Sequence, residues 1–168
     1  MEHRKNAPKN LKIAVLTVSD SRAAAMREGN DKDISGKLVE QRLRDVGHTT
    51  TRKIVPDEVK QIRAAVRKFI SDKKTDVVIT VGGTGITKRD VTIETLRSLF
   101  EKELPGFGEV LRHLGYQKVG GPAILTRATA GLIERKPVFC LPGAPNAVDV
   151  AMDLILPELG HLVKHARE

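Results

Sequence analysis

The stretch Thr75-Asp-Val-Val-Ile-Thr-Val-Gly-Gly-Thr-Gly-Ile-Thr-Lys-Arg-Asp-Val-Thr-Ile-Glu-Thr95 decides how the rest of the chain is read. Val77 to Val81 is a short apolar run rich in β-branched residues, the pattern of a buried parallel strand. Gly82, Gly83 and Gly85 then take three of the next four positions, with Thr84 between them. Such a turn lets backbone approach a ligand and aims N–H groups at an anion. Lys88, Arg89 and Asp90 follow, and Thr92 opens a helix with Glu94 in its first turn. Strand, glycine turn, cations and carboxylate together describe a phosphate site that also suits a metal. The stretch is not a P-loop, because Thr87 precedes Lys88 where that motif needs glycine. It is not the dinucleotide fingerprint either, since no glycine stands third after Gly85. A tight strand-to-helix connection accounts for the same glycines without any ligand.

Upstream, Leu11 to Val18 reads as a strand that ends at the polar cluster Ser19-Asp20-Ser21-Arg22. Residues 23–34 show no period and are expected to be a mobile loop. Ser35 is expected to cap a helix from about Gly36 to Val46, with Gly47 stopping it. Thr49 to Val55 is half polar and so predicts an edge strand. Pro56-Asp57-Glu58 follows it directly. There Asp57 suits an N-cap for the helix bearing Val59, Ile62, Val66, Phe69 and Ile70, and it also stands at the carboxyl end of a strand.

Downstream, a helix is expected over Thr92 to Phe100, capped by Asp90 or Thr92. Pro105-Gly-Phe-Gly-Glu109 reads as a break before a short helix ending near Leu114. Ala123–Thr126 and Gly131–Glu134 are small pieces beyond Gly120-Gly-Pro122. Pro137 to Leu141 is the last strand, and Cys140 within it reads as a buried structural thiol. Pro142-Gly-Ala-Pro-Asn146 turns into a final helix, Pro145 to Lys164, kinked near Pro157.

Alternating strands and helices imply a three-layer α/β/α fold with a mainly parallel central sheet. We read residues 1–10 as a flexible arm and 11–168 as one domain. In a parallel sheet the strand carboxyl ends share one edge, where ligands bind. The turns at Asp20, Asp57, Gly82–Gly85 with Asp90, and Pro142–Asn146 would then converge, which independent helix caps need not do.

Composition narrows the partners. The 168 residues carry a formal charge of +8, which favours anions. One Tyr, four Phe and no Trp leave no stacking platform for single-stranded nucleic acid. The basic arm with Arg4, Lys5, Lys9 and Lys12 reads as solvated. A single cysteine excludes an internal disulfide and a cysteine-cluster metal site. No apolar run reaches the length of a membrane span, so a soluble cytoplasmic protein with no membrane partner is expected.

A cleft holding a nucleoside triphosphate would use N–H groups of Gly83, Thr84 and Gly85 on the phosphates, helped by Lys88 or Arg89. Asp57 and Asp90 would bind Mg²⁺, a hard cation that takes oxygen ligands. If the acceptor is a phosphate, its oxygen is already anionic and needs no general base.

Taken in order, the motifs resemble the molybdopterin-binding family of molybdenum cofactor biosynthesis, which includes MogA, MoaB and the G domain of gephyrin. The matching pieces are Ser19-Asp-Ser-Arg22, Asp33-Ile-Ser-Gly36, Ile54-Val-Pro-Asp57, Gly82-Gly-Thr-Gly85, Arg89-Asp-Val-Thr92 with Glu94, Pro105-Gly-Phe-Gly-Glu109, Arg127 with Ala130-Gly131, and Leu141-Pro-Gly143 with Pro145. The compact length and the Pro145-Asn-Ala-Val148 ending are nearer to MoaB than to MogA. The resemblance implies adenylyl transfer from Mg-ATP to the terminal phosphate of molybdopterin, with pyrophosphate released. A non-catalytic molybdopterin carrier is the alternative.

The resemblance further implies that Asp57 and Asp90 carry catalysis and the metal, and that Gly82, Gly83, Thr84 and Gly85 hold substrate phosphates. It assigns Ser19, Asp20, Thr92, Glu94, Thr126, Arg127, Pro142 and Gly143 to the binding set. A homo-oligomer, trimer or hexamer, is implied, with a molybdate-inserting enzyme of the MoeA type receiving the product. Ile93, Thr126 and Ala144 depart from the family pattern, and Ala144 removes a hydrogen bond that a polar residue there would make.

Overall fold

The computed structural model describes residues 7–168. The first six positions of the expected arm, including Arg4 and Lys5, lie outside the described residues. Strand β1 (Lys12–Val18) leads to helices α1 (Asp20–Arg27) and α2 (Ile34–Asp45), then β2 (Thr49–Val55), α3 (Val59–Ser71), β3 (Val77–Val81) and α4 (Thr92–Arg97). A two-residue strand β4 (Lys102–Glu103), helix α5 (Pro105–Val119) and a 3-10 turn at Gly121–Leu125 come next. The hairpin β5 (Thr129–Ile133) and β6 (Lys136–Leu141) follows, then α6 (Pro145–Ile155) and α7 (Leu159–Arg167). A 3-10 turn through Pro157 separates the last two helices, at the kink the sequence predicts.

The six strands lie in the order β2-β1-β3-β6-β5-β4. The pairs β2–β1, β1–β3 and β3–β6 are parallel, and β6–β5 and β5–β4 are antiparallel. The half-polar β2 is indeed an edge, its residues alternating between exposed and half-buried. Period-2 alternation along the central strands builds two cores. Ile13, Val15, Val77, Ile79, Phe139 and Leu141 face α2, α6 and α7 through Val39, Leu43, Val148, Met152, Ile155 and Leu159. Ala14, Leu16, Val78, Val138 and Cys140 face α3 and α4 through Ile62, Val66, Ile70, Ile93 and Leu96. Each fully buried Leu or Ile side chain contributes roughly 1.5–3 kcal/mol, so the three layers hold by burial. Among the described residues no helix is long and apolar enough to cross a membrane.

Several local expectations are corrected. Residues 23–34 are not one loop, because α1 fills Asp20–Arg27. Ser19 caps that helix by accepting the Arg22 N–H, and the run Ala23-Ala-Ala25 has the highest helix propensity without leaving an apolar period. Helix α2 is capped by Asp33, whose carboxylate accepts the Gly36 N–H at 2.9 Å, rather than by Ser35. Asp57 does not cap α3: Glu58 is its N-cap and makes no side-chain cap bond. Helix α4 stops at Arg97, whereas α5 continues to Val119. Pro105 starts α5 from its first turn instead of breaking the chain, a position where the missing N–H costs nothing.

The entrance to α2 is tied into the sheet by charge. Asp33 is fully buried and also accepts from Thr17 Oγ1 at 2.6 Å and from Arg52 Nη1 at 2.8 Å. Arg52 reaches Glu40 at 2.9 Å and Asp31 as well. Every oxygen of Asp33 is therefore answered, the condition under which a buried carboxylate is tolerated.

Candidate active site

Hydrogen bonds stitch the parallel strand ends into one edge. The Ser19 N–H donates to the Val55 carbonyl at 2.9 Å, tying β1 to β2. The Gly82 N–H donates to the Leu141 carbonyl at 3.0 Å, tying β3 to β6. Gly82 also lies against β1, where an added Cβ would stand 2.5 Å from the Val18 carbonyl. Its φ of 94° and that of 65° at Gly83 belong to the left-handed region that only glycine enters cheaply. At Gly83 a Cβ would meet Thr92 Oγ1 at 2.3 Å and Asp57 Oδ1 at 3.0 Å. The glycines are thus required by close approach.

The edge opens into a cleft of about 440 Å³ walled by Ser19, Arg22, Asp57, Gly82–Gly85, Asp90 and Gly143–Pro145. A larger depression of about 680 Å³ lies at the opposite edge, between the end of α3 and the turn of the β5–β6 hairpin, and holds none of these residues. The four turns expected to converge do so, but the first lines the cleft through Ser19 and Arg22 rather than Asp20, and of Pro142–Asn146 only Gly143–Pro145 reach the wall.

Asp20 and Asp57 are laced reciprocally. The Asp20 N–H donates to Asp57 Oδ2 at 2.9 Å, and the Asp57 N–H donates to Asp20 Oδ1 at 3.0 Å. Arg89 reaches over to Asp20, its Nε at 2.9 Å from Oδ2. That hydrogen bond, followed by the Asp57 N–H, holds the Asp20 carboxyl below its ordinary value. Asp57 moves the other way: burial pushes its carboxyl up, and the Asp20 and Asp90 charges add to this against the Asp20 N–H. At Asp90 burial also opposes ionisation but is outweighed by hydrogen bonds from Thr87 and Gly85 and by the Arg127 charge, so its carboxyl lies below the usual range. Thr87 donates to Asp90 Oδ2 through Oγ1 at 2.6 Å and N–H at 3.0 Å.

The remaining residues of the binding set are placed around the cleft rather than in its wall. Thr92 is buried behind the glycine turn, with its Oγ1 donating to the Gly82 carbonyl at 2.9 Å and its N–H to the Gly83 carbonyl at 3.0 Å. Arg127 donates to the Gly85 carbonyl at 2.7 Å and pairs with Glu94, bracing the turn from outside. Thr126 ends the 3-10 turn after α5, and Pro142 is half-buried between β6 and Gly143. Ala144 is the N-cap of α6 and offers no side-chain cap. Cys140 is buried in β6, its thiol pushed up to about 12 by burial, and takes no part in the cleft.

Two wall or support residues escaped the sequence reading as site members. Arg22 lines the cleft, which follows once Ser19 is seen as a helix cap, because the residue three positions on returns to the same end. Ser35 donates from Oγ to the Gly143 carbonyl at 2.7 Å, fixing the loop before α6 to the start of α2. No short-range signal marks a contact across 108 residues.

For a cation the donor set is all oxygen. Among the described residues no cluster of three or more His, Cys, Asp or Glu exists that would cage a metal. Two carboxylates with like-charge crowding at Asp57 fit Mg²⁺, which takes one or two carboxylates and completes its shell with substrate phosphates and water.

A family model described as "Probable molybdopterin binding domain" matches residues 14–161. The chain is 47% identical to a protein of Pyrococcus furiosus named molybdopterin adenylyltransferase, over 99% of this chain and 98% of that one. It is 45% identical to molybdenum cofactor biosynthesis protein B of Bacillus subtilis, over 99% and 96%. A crystal structure of a molybdenum cofactor biosynthesis protein B superposes with a TM-score of 0.89 at 44% identity, covering 96% of this chain and 99% of that one. The tungsten cofactor synthesizing protein MoaB from Pyrococcus furiosus superposes with a TM-score of 0.84 at 47% identity, covering 96% and 100%. The chain belongs to the MoaB family of molybdopterin-binding proteins.

Proposed function

We propose that the protein transfers an adenylyl group from Mg-ATP to the terminal phosphate of molybdopterin. A phosphate oxygen of the pterin attacks the α-phosphorus, the bond to the β-phosphate oxygen breaks, and pyrophosphate leaves. The observation that carries this reading is the meeting of Asp57, Asp90 and the Gly82–Gly85 turn in one cleft, with Asp57 crowded by two further carboxylates. Full-length relatives named for this activity point the same way.

The chain's own groups have defined work in such a transfer. Amides of the glycine turn hold phosphate oxygens, and Arg127 with Glu94 keeps that turn in place. Asp57 and Asp90 would hold Mg²⁺, which supplies charge neutralisation for the departing pyrophosphate. The attacking oxygen is already anionic, so positioning replaces a general base.

A reaction fed by ATP belongs in the cytoplasm, and its product suits a molybdate-inserting enzyme of the MoeA type. Self-association is part of the proposal. It is supported by Tyr116, Val119 and Ile124, apolar side chains left 61–84% exposed on α5 and the turn after it.

The test measures pyrophosphate release and adenylylated pterin with purified protein, Mg-ATP and molybdopterin. Pterin-dependent turnover that disappears in Asp57→Asn and Asp90→Asn is expected. Tight pterin binding without turnover would replace the enzyme by a carrier.

A further inference from the structure

The cleft has a cation that no carboxylate of the described residues answers. Of the basic side chains at this edge, Arg89 is committed to Asp20, and Arg127 to Glu94 and the Gly85 carbonyl. Arg22 lines the cleft directly, half-buried, one turn into α1. Among the described residues no carboxylate pairs with it. Its one side-chain hydrogen bond among the described residues is long, 3.4 Å, from Nη1 to Ser19 Oγ. The cations acting on Asp57 and Asp90 are Arg89 and Arg127 respectively.

A half-buried guanidinium without a carboxylate partner has lost water and gained little in return. A planar, five-donor group of this kind matches phosphate oxygens in pairs. Gly143, Ala144 and Pro145, which line the same cleft, add no further acid to it. We propose that Arg22 is a phosphate-recognition residue of this cleft, binding the substrate phosphate group that lies away from Asp57 and Asp90. The inference rests on the adenylyl-transfer reading. The shared chemistry is a phosphate monoester or polyphosphate, and its two sources are ATP and the terminal phosphate of molybdopterin.

The experiment compares wild type, Arg22→Ala, Arg22→Lys and the control Arg27→Ala, which removes the same charge from the exposed end of the same helix. Steady-state rates are taken while varying Mg-ATP at saturating pterin, then the reverse. Calorimetric binding of inorganic tripolyphosphate and thermal melting accompany them. We expect Arg22→Ala to raise one of the two KM values by at least about tenfold, the scale of a lost charge-assisted hydrogen bond, with kcat nearly unchanged. Arg22→Lys keeps the point charge without the fork and recovers part of that loss. A raised KM for ATP, with weaker tripolyphosphate binding, assigns the residue to the nucleotide; a raised KM for pterin alone assigns it to the pterin phosphate. Folded Arg22→Ala and Arg22→Lys proteins with both KM values at the wild-type level would overturn the inference and leave the reaction standing. An equal change in Arg27→Ala would reduce it to long-range charge and overturn it too. A wild-type protein that neither turns over nor binds tripolyphosphate overturns the reaction and this inference together.

Discussion

Asp33 and Asp57 each stand just before a helix and beside the end of a parallel strand, but their surroundings differ. Asp33 is sealed from solvent and receives the Gly36 N–H, the Thr17 hydroxyl and the Arg52 guanidinium. Asp57 receives one backbone N–H, from Asp20, and faces the Asp20 and Asp90 charges with Arg89 as the cation acting on it. The first is an acid whose charge the fold consumes. The second is an acid whose charge the fold compensates less than it crowds, which under the proposed reaction suits a cationic ligand. Burial alone would rank Asp33 as the more unusual residue; counting donors reverses the ranking.

The sharpest way to break this contrast is to neutralise each side. Asp57→Asn is expected to lower turnover by about 10³-fold, the scale of a lost transition-state charge contact, without lowering the thermal midpoint. Melting curves and pyrophosphate release measure both together, and a midpoint several degrees lower would make Asp57 another structural acid. Arg52→Met does the converse. It strands Asp33 in the interior and should cost about 3–5 kcal/mol in urea unfolding, while whatever remains folded keeps its KM values. Ser35→Ala is milder. Losing the bond to the Gly143 carbonyl should cost about 1 kcal/mol and shift KM with little change in kcat.

The smallest effect is in pH dependence, and its sign separates the two sites. Asp57 has a raised folded pKa, so its contribution to stability is present below the ordinary carboxylate value and lost as pH rises through the folded one. Asp31, beside Arg52, is lowered to about 2, so its contribution is present above the ordinary value and lost as pH falls towards about 2. Unfolding midpoints across the acid range should therefore rise on the neutral side in Asp57→Asn, and their acid-side decline should flatten in Arg52→Met. Identical profiles in both variants would erase the distinction.

Much of this was legible in the sequence because it is periodic or adjacent. The apolar runs at β1, β3 and β6 gave the layers, and the half-polar Thr49–Val55 gave the edge. The turn at Gly82–Gly85 gave the cleft, since Asp90 and Thr92 follow it closely in the sequence. What stayed hidden depends on partners distant in sequence or on helices without an apolar stripe. Helix α1 is built on three alanines and a serine cap, so it has propensity but no period. The sequence points to Ser35 as the cap of α2, but its hydroxyl goes to the Gly143 carbonyl and Asp33, held by Arg52, takes the cap, both through partners far away in sequence. Pro105 has the same look whether it ends one element or begins the next, and only the 15-residue α5 decides.

The buried Cys140 has a practical consequence for all of these measurements. It is the sole thiol, fully inaccessible in a central strand, with ionisation pushed up to about 12. A disulfide exchange reagent can reach it only when the sheet itself opens, because thiolate and access are both withheld in the native state. The chain thus carries a built-in clock: the rate of colour release from such a reagent reports global opening in native buffer, one sulfur per molecule, with no label added.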